Sequence, residues 1–587
     1  MNNRETAQIE AWLAEDDGEN VFYEDRSSSN ADEDHLEEQE HLSESEQGEE
    51  VPGEASENSS ESEDDEPPRR SRRADFYSGV DNTIWTKTAP LNIGRTRQHN
   101  IVFVAPGPKG IARTKTTPED CMSLFLDENI IDLLTKYTNI KIDYIRNKYA
   151  RERDAKQTNA IEIRGYIGIL LMAGVLKIGR LSVDQIFDHV KHTGIDAIYL
   201  TMSEQRFKFL TRFLRFDDIG DRQARASIDK LAPIREFLDL FLKNFQNYFV
   251  PSAEMTLDEQ LLAFRGRCSF RQYIPSKPAK YGVKVFALVD VHYPYTFNLE
   301  IYAGQQPEGP FRLSNERHDV VMRMARPVLG KNINITMDNW FSSLHVAKEL
   351  FENRTTMVAT VRKDKREVPR EFRVARGNPL CSSKFGFHQP CTLVSYVPKP
   401  NKVVILMSTM HNDAAIDSDS GDQRKPEIIT YYNRTKNGVD LVDKMCSLYD
   451  TSRNSRRWPL TVFFDLLNLS ALNALCIYTA NKNYEGVRRR DFLIDLSLAW
   501  MKPLAQRRLD NKLPRSLVFK IKDFLGIAQT ETTATTSAQT PTRSIGRCHD
   551  CGRSRNKSTR KLCNTCKKFI CGDHSRIVCL SCLENTN

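Results

Sequence analysis

Three aspartates, Asp258, Asp338 and Asp440, sit in segments of different character. Asp258 lies in a strand-like stretch, Met255 to Leu262, and Asp338 sits at the end of another, Asn334 to Trp340, whereas Asp440 opens a helical segment, Gly438 to Asp443. Such carboxylates suit two-metal phosphoryl transfer, because hard Mg²⁺ ions take oxygen ligands and two of them, about 3.5 to 4 Å apart, flank a scissile phosphate. The expectation is therefore two catalytic Mg²⁺ ions held by Asp258, Asp338 and Asp440. Asp443 follows Asp440 by three residues, so on a helix both project from one face and either reaches the metals. The competing reading leaves Asp443 in solvent, paired with Lys444 or Lys436. Glu259 points to the opposite strand face from Asp258 and is left out of the site.

The second constellation is the tail, Cys548-x2-Cys551-x11-Cys563-x2-Cys566-x4-Cys571-x2-His574-x4-Cys579-x2-Cys582. Eight ligands in four close pairs fill two tetrahedral Zn²⁺ sites. Alternating pairs give a cross-brace, with Cys548, Cys551, Cys571 and His574 on one ion and Cys563, Cys566, Cys579 and Cys582 on the other. Sequential pairing is the competing connectivity, and His549 is a spare imidazole. The metal would replace the core that some 40 residues cannot build. Arg553, Arg555 and Lys557 lie among the ligands and suit DNA, while a RING-like or PHD-like cross-brace suits a protein or histone tail.

Around these residues the apolar pattern dictates the elements. Helical periodicity dominates from Thr117, an N-cap before Pro118, to about residue 250. Strand-like runs then follow at Met255 to Phe264, Val283 to Val291 and Thr296 to Tyr302; a helix near Asp319 to Ala325, the strand ending at Asp338, a helix from Ser343 to Glu352 and a strand from Thr356 to Val361 complete the order β-β-β-α-β-α-β. That is the order of an RNase H-like mixed sheet, whose first and fourth strands lie side by side and bring Asp258 and Asp338 together. Asp440 joins them if residues 364–426 are an inserted β-rich module, with strands near Cys391 to Val397 and Lys402 to Ser408. More helix, including the apolar Pro459 to Tyr478, runs on to about residue 528.

Net charge is +6 over 587 residues, but residues 1 to 66 carry 25 Asp and Glu against 2 Arg, leaving the remainder near +29. A strongly basic body is the footprint of nucleic-acid binding, since neutralised phosphates release counterions. The acidic arm, residues 1 to 110, lacks the apolar residues needed to order itself. Ser60 and Ser62 within it suit phosphorylation, and Arg69 to Arg73 is either a nuclear-import signal or a solvated linker. No secretory leader is visible, and Tyr166 to Leu176 and Leu460 to Tyr478 read as buried core helices, so no membrane partner is expected. Seven of 13 cysteines crowd into the last 40 residues; the other six are scattered as thiols of a reduced compartment are.

Cations flank the carboxylates. Arg265 and Arg267 follow the first strand, Lys277 and Lys280 lie just beyond, and Arg362, Lys365 and Arg366 follow the last; each is a candidate phosphate contact or an ordinary solvated side chain. Arg456, Arg457 and Trp458 form a further candidate, the indole stacking on an unpaired base or joining the core.

Several motifs together carry a family likeness. Thr256-Leu257-Asp258-Glu259-Gln260-Leu261-Leu262-Ala263-Phe264-Arg265-Gly266-Arg267, Tyr273-Ile274-Pro275-Ser276-Lys277-Pro278, Met337-Asp338-Asn339-Trp340-Phe341-Ser342-Ser343 and Tyr432-Asn433-x4-Gly438-Val439-Asp440 resemble signatures of piggyBac transposases, from about residue 117 to the tail. The resemblance implies three catalytic aspartates and a fourth acidic position, matching Asp258, Asp338, Asp440 and Asp443. It further implies excision at TTAA sites through a DNA hairpin, joining of 3′ hydroxyls to a new TTAA, a homodimer, terminal-repeat binding by the cysteine-rich tail, and target-DNA contact by Arg362, Lys365 and Arg366. The chain then divides into an acidic arm (1–110), a helical dimerisation and DNA-binding domain split into 117–252 and 449–528, a catalytic core in two pieces (253–363 and 427–448) around the insertion (364–426), a Thr-rich linker (529–544) and a zinc domain (545–585). Its substrate would be double-stranded DNA and its compartment the nucleus. The alternative is a domesticated DNA- or chromatin-binding protein that keeps the fold without mobility.

Overall fold

The computed structural model describes residues 75–90, 104–275, 277–482, 486–527, 545–551, 555, 557–563 and 565–576. The chain forms two units, residues 1–525 and 526–587. The expected linker 529–544, Arg69 to Arg73, Ser60, Ser62, Arg553, Cys579 and Cys582 lie outside the described residues.

The larger unit is built on an eleven-stranded mixed sheet. In chain order its strands are β1 (Phe76–Ser78), β2 (Ile84–Thr86), β3 (Glu254–Ala263), β4 (Gln272–Tyr273), β5 (Tyr281–Asp290), β6 (Thr296–Ile301), β7 (Asn334–Met337), β8 (Thr356–Thr360), β9 (Ser383–His388), β10 (Cys391–Lys399) and β11 (Lys402–Ser408). They lie in the order β1-β2-β9-β10-β11-β8-β7-β3-β5-β4, with β6 pairing beside β4 on β5. Only β3–β7 and β7–β8 run parallel. β7 and β8 are buried almost throughout, as parallel strands with both faces covered must be.

Helices α1 (Pro118–Met122), α2 (Glu128–Ile145), α3 (Ala160–Val175), α4 (Glu204–Phe213) and α5 (Arg235–Asn247) precede β3; α6 (Arg317–Ala325) and α7 (Leu344–Glu352) flank β7; α8 (Glu427–Thr435), α9 (Gly438–Leu448), α10 (Trp458–Asn481), α11 (Arg489–Arg508) and α12 (Arg515–Phe524) follow β11. Thr117 caps α1 by accepting the Asp120 N–H at 3.1 Å, with Pro118 in the first turn where a missing N–H costs nothing. The late helices return to the early ones: α11 packs on α3 and α10 on α1. Gly168 permits the first contact, because a Cβ there would stand 2.9 Å from the Ser497 carbonyl oxygen. α10 is long and apolar enough to cross a membrane by composition, yet 83% of its apolar window is buried inside the protein. It is the central core helix expected from its sequence.

One expectation is corrected. Residues 75–90 and 104–110, assigned to a disordered arm, are structured: β1 and β2 pair with each other, and β2 meets β9 at Thr86 and Phe387. Trp85 anchors them, fully buried, with its Nε1–H donating to the Glu367 carbonyl at 2.8 Å. The strands between residues 364 and 426, expected as an inserted β-rich module, join the central sheet, since β11 pairs antiparallel with β8.

Candidate active site and metal centre

Strand register builds the acidic site. β3 and β7 align Met255 with Ile335, Thr256 with Thr336 and Leu257 with Met337, so Asp258 and Asp338 stand next in line on adjacent parallel strands. At Asp338 the chain leaves the sheet, and Oδ1 accepts the Trp340 N–H at 2.8 Å, a side-chain turn that fixes the carboxylate. Alternation puts Thr256, Asp258 and Gln260 on one face of β3. Each polar neighbour grips the α8–α9 corner: the Thr256 hydroxyl donates to the Thr435 carbonyl at 2.6 Å, and Gln260 Nε2 donates to Asp443 Oδ1 at 2.5 Å. Asp440 lies in the first turn of α9 and Asp443 one turn on. Asp443 thus faces the sheet rather than pairing with Lys444 or Lys436. The opposite face of the sheet carries Glu259, paired with Lys284, and α6, whose Arg323 pairs with Glu300 at 2.7 Å.

Electrostatics marks the four carboxylates as one group. Asp258 is pushed up to about 8, first by burial and then by the Asp338 charge, with a smaller push from Asp440. Burial raises Asp338, and the Glu259 charge adds to it. Asp443 rises to about 6 through burial, opposed by Lys277 and the Gln260 bond. Lys277 also opposes the rise at Asp258 and donates to the Glu259 carbonyl at 3.1 Å. Asp440 is exposed at the mouth. Burial disfavours the charged forms of Asp258, Asp338 and Asp443, so these hard oxygen donors are short of positive charge, and a divalent cation of the Mg²⁺ class fits that deficit. Behind the group, the buried Tyr432 hydroxyl is raised by burial and by the charges of Asp338, Asp258 and Asp440.

Gln260, Thr256 and Thr435 were not anticipated as parts of the site, whereas Lys277 was placed beside the first carboxylate strand. The readable signal for Gln260 was its spacing of two from Asp258 on a strand.

The other cations divide into free and engaged. Arg265, Arg267, Lys280 and Arg456 are exposed. Arg362, Lys365 and Arg366 line one cleft with Arg317, Asp364 and the turn at Val80 to Asn82, and Arg362 pairs with Asp364 at 2.9 Å. Arg457 is corrected from a candidate DNA contact to an internal cap: its guanidinium donates to the carbonyls of Thr211, Arg212 and Leu214 at 3.3, 3.1 and 2.5 Å. Trp458 packs edge-on against Phe270, centroids 5.0 Å apart.

In the smaller unit, the ligand atoms of Cys548, Cys551, Cys571 and His574 all lie within 4.8 Å of one another. Cys551 Sγ stands 3.7 Å from Cys571 Sγ, and His574 Nδ1 lies 3.6, 3.5 and 3.2 Å from the sulfurs of Cys548, Cys551 and Cys571. Tetrahedral zinc with bonds of about 2.3 Å to sulfur and about 2.0 Å to nitrogen separates its ligands by about 3.5 to 3.8 Å, so the donor set fits Zn²⁺. These four are the alternating pairs, not the sequential ones. His549 is no spare ligand, as Asp550 and Lys568 hold its two ring nitrogens, each at 2.9 Å. Arg555 is exposed, and Lys557 is paired with Asp573 at 2.7 Å.

Comparison with known proteins gives a concordant picture. A family model described as Transposase IS4 matches residues 117–475. The human PiggyBac transposable element-derived protein 3 is 21% identical over 398 residues, which are 62% of this chain and 62% of that protein; the human Chimeric ERCC6-PGBD3 protein is 21% identical over 398 residues, 62% of this chain and 35% of its own length. The chain thus spans less than two thirds of these curated relatives. A cryo-EM structure of a piggyBac transposase synaptic complex with hairpin DNA is similar at 35% identity and a TM-score of 0.69, covering 81% of this chain and 100% of that one.

Proposed function

The chain belongs to the piggyBac branch of the IS4-type DDE transposases, and from that membership we propose that it excises a transposon by cut-and-paste through hairpin intermediates and joins it to TTAA targets. The observation that carries the reading is the parallel register setting Asp258 beside Asp338, with Asp440 and Asp443 brought over them by α9. The sheet and its flanking helices are then an RNase H-like core, interrupted by residues 364–426.

Asp258, Asp338 and Asp440 would hold two Mg²⁺ ions, with Asp443 as the adjoining acidic position. Bound there, the metal lowers the pKa of an attacking water or 3′ hydroxyl and neutralises charge on the leaving oxygen. The protein's own contribution is positional. The Trp340 N–H fixes Asp338, Gln260 fixes Asp443, and the Thr256–Thr435 bond ties α8 to β3 just ahead of the helix that carries Asp440. Lys277 supplies a fixed positive charge on the same side.

Arg265, Arg267, Lys277, Lys280, Arg362, Lys365, Arg366 and Arg456 are proposed phosphate contacts on the larger unit, and Arg553, Arg555 and Lys557 on the tail, which would read terminal repeats. Cys563, Cys566, Cys579 and Cys582 would complete the second zinc site of a cross-brace. The neighbour solved as a synaptic complex with hairpin DNA supports action on DNA; a homodimer working on double-stranded DNA is part of the proposal. The helical parts 117–252 and 449–528 would form its dimerisation and DNA-binding domain, and the nucleus would be its compartment.

The test is Mg²⁺-dependent excision of a TTAA-flanked reporter carrying candidate terminal repeats, beside the Asp258→Asn/Asp338→Asn protein. Scarless excision by the wild type alone is expected. Specific end binding without excision would favour a domesticated DNA-binding protein instead.

A further inference from the structure

A second group of metal-ligating side chains lies away from the four aspartates, on α6 and α7. His345 and Glu349 are one helical turn apart on α7, and His318 projects from the first turn of α6 toward them. His318 Nε2 lies 2.5 Å from Glu349 Oε2, and His345 Nε2 lies 4.0 Å from the same oxygen. The two imidazoles stack with centroids 4.2 Å apart and planes inclined by 13°. One ligand atom from each of the three residues falls within 4.8 Å of the others.

The surroundings add a second, independent feature. Asp319 Oδ1 sits 3.0 Å from His318 Nδ1, leaving Nε2 as the nitrogen turned toward Glu349. A carboxylate behind one ring nitrogen is the arrangement that fixes the tautomer and orientation of a metal-bound histidine. Nothing in phosphoryl transfer by the aspartates uses these residues.

We propose that His318, His345 and Glu349 form a binding site for a zinc-class divalent ion, clamping α6 to α7. Two imidazoles and one carboxylate select a borderline transition metal over Mg²⁺, and three protein ligands leave a position for water. The clamp has a structural address. α7 is entered through the loop Asp338 to Ser343, and His318 lines one open cleft with Arg317, Trp340, Ser343 and Lys365. An ion at this point would tie that loop, and with it the residues just after Asp338, to the neighbouring helix.

The experiment uses the full chain, saturated with Zn²⁺, freed of excess metal, and assayed for bound zinc beside His345→Ala and Glu349→Gln. His345 is 72% exposed, so its truncation leaves the fold intact. Each variant should carry about one zinc per chain fewer than the wild type, and after replacement of the zinc by Co²⁺ the wild type should show, in its difference spectrum against either variant, a d–d band without thiolate charge transfer. Equal zinc content in wild type and both variants, with no such cobalt band, overturns the proposal and leaves a plain His318–Glu349 ion pair.

Discussion

Gly438 lies directly against Thr256: a Cβ on Gly438 would stand 2.7 Å from the Thr256 hydroxyl oxygen. This approach lets the start of α9 settle onto β3 two residues before Asp440 and two residues before Asp258, so one contact sets the spacing of both carboxylates. In an ordinary helix, replacing glycine by alanine helps, by about 0.5 to 1 kcal/mol. Here the sign reverses, because neither the strand nor the buried hydroxyl can give way. Gly438→Ala should lower stability by about 1 to 3 kcal/mol, the usual cost of overpacking, and should depress strand cleavage more than binding of end DNA. Urea melts and parallel cleavage and gel-shift assays check both halves.

Gln260 tests whether Asp443 needs its partner. Gln260→Leu keeps most of the volume and removes the donor to Asp443 Oδ1. Loss of such an outer hydrogen bond typically weakens metal affinity or activity by about 10- to 100-fold. The Mg²⁺ concentration for half-maximal cleavage should therefore rise by that order, with the thermal midpoint little changed; an unaltered Mg²⁺ dependence would show that Asp443 is positioned by α9 alone.

How much of this was legible in the residues depended on the kind of signal. Asp258, Asp338 and the α9 pair were readable because strand parity, helical spacing and element order each constrain position, and the seven core elements lie within a few residues of where periodicity put them. Gln260 and Thr435 escaped, since an uncharged side chain on a polar strand face announces no chemistry until its partner is known. β1 and β2 escaped for another reason: strands of three residues in a polar stretch have no periodicity; they pair with each other, and β2 also with Phe387, some 300 positions later. Likewise, alternation identified β10 and β11 as strands without saying that they extend the central sheet.

Trp85 measures what that missed segment contributes. Its indole is fully buried and bonded to Glu367, next to the loop bearing Arg362, Lys365 and Arg366. Trp85→Ala should cost about 3 to 5 kcal/mol, as loss of a buried large aromatic does. Thermal melts check it, and an unchanged midpoint would mean that Trp85 does not fasten β1 and β2 to the sheet.

The pair His292–Glu254 gives a pH dependence whose sign is fixed. His292 Nε2 lies 2.8 Å from Glu254, and that bond, opposed by burial and aided by Asp290, raises His292 above 6.5. Burial alone would raise Glu254, but the bond to His292 and the charges of His292 and Arg434 outweigh it and bring Glu254 below 4.5. The histidine's contribution is full below 6.5 and lost as pH rises through its higher folded value; the glutamate's is full above 4.5 and lost as pH falls through its lower one. Stability of wild type over Glu254→Gln should therefore be greatest between these limits and shrink on going to pH 8, without vanishing, because Arg434 still pairs with Glu254 at 3.2 Å. Denaturant titrations across that range decide it.

Zinc removal should separate the two units. Cys548, Cys551, Cys571 and His574 gather around one point in a segment whose described strands are only two residues long, so metal rather than apolar burial would hold it together. The larger unit has its own core and no ligand in that cluster. A chelator that takes zinc but leaves Mg²⁺, or Cys571→Ser, should abolish hydrogen-exchange protection over residues 545–576 while protection in β3, β5 and β7 persists. Mg²⁺-dependent nicking of non-specific DNA should survive the same treatment as sequence-selective end binding falls. Loss of protection throughout the sheet on chelation would instead mean that the body of the protein depends on the tail's metal.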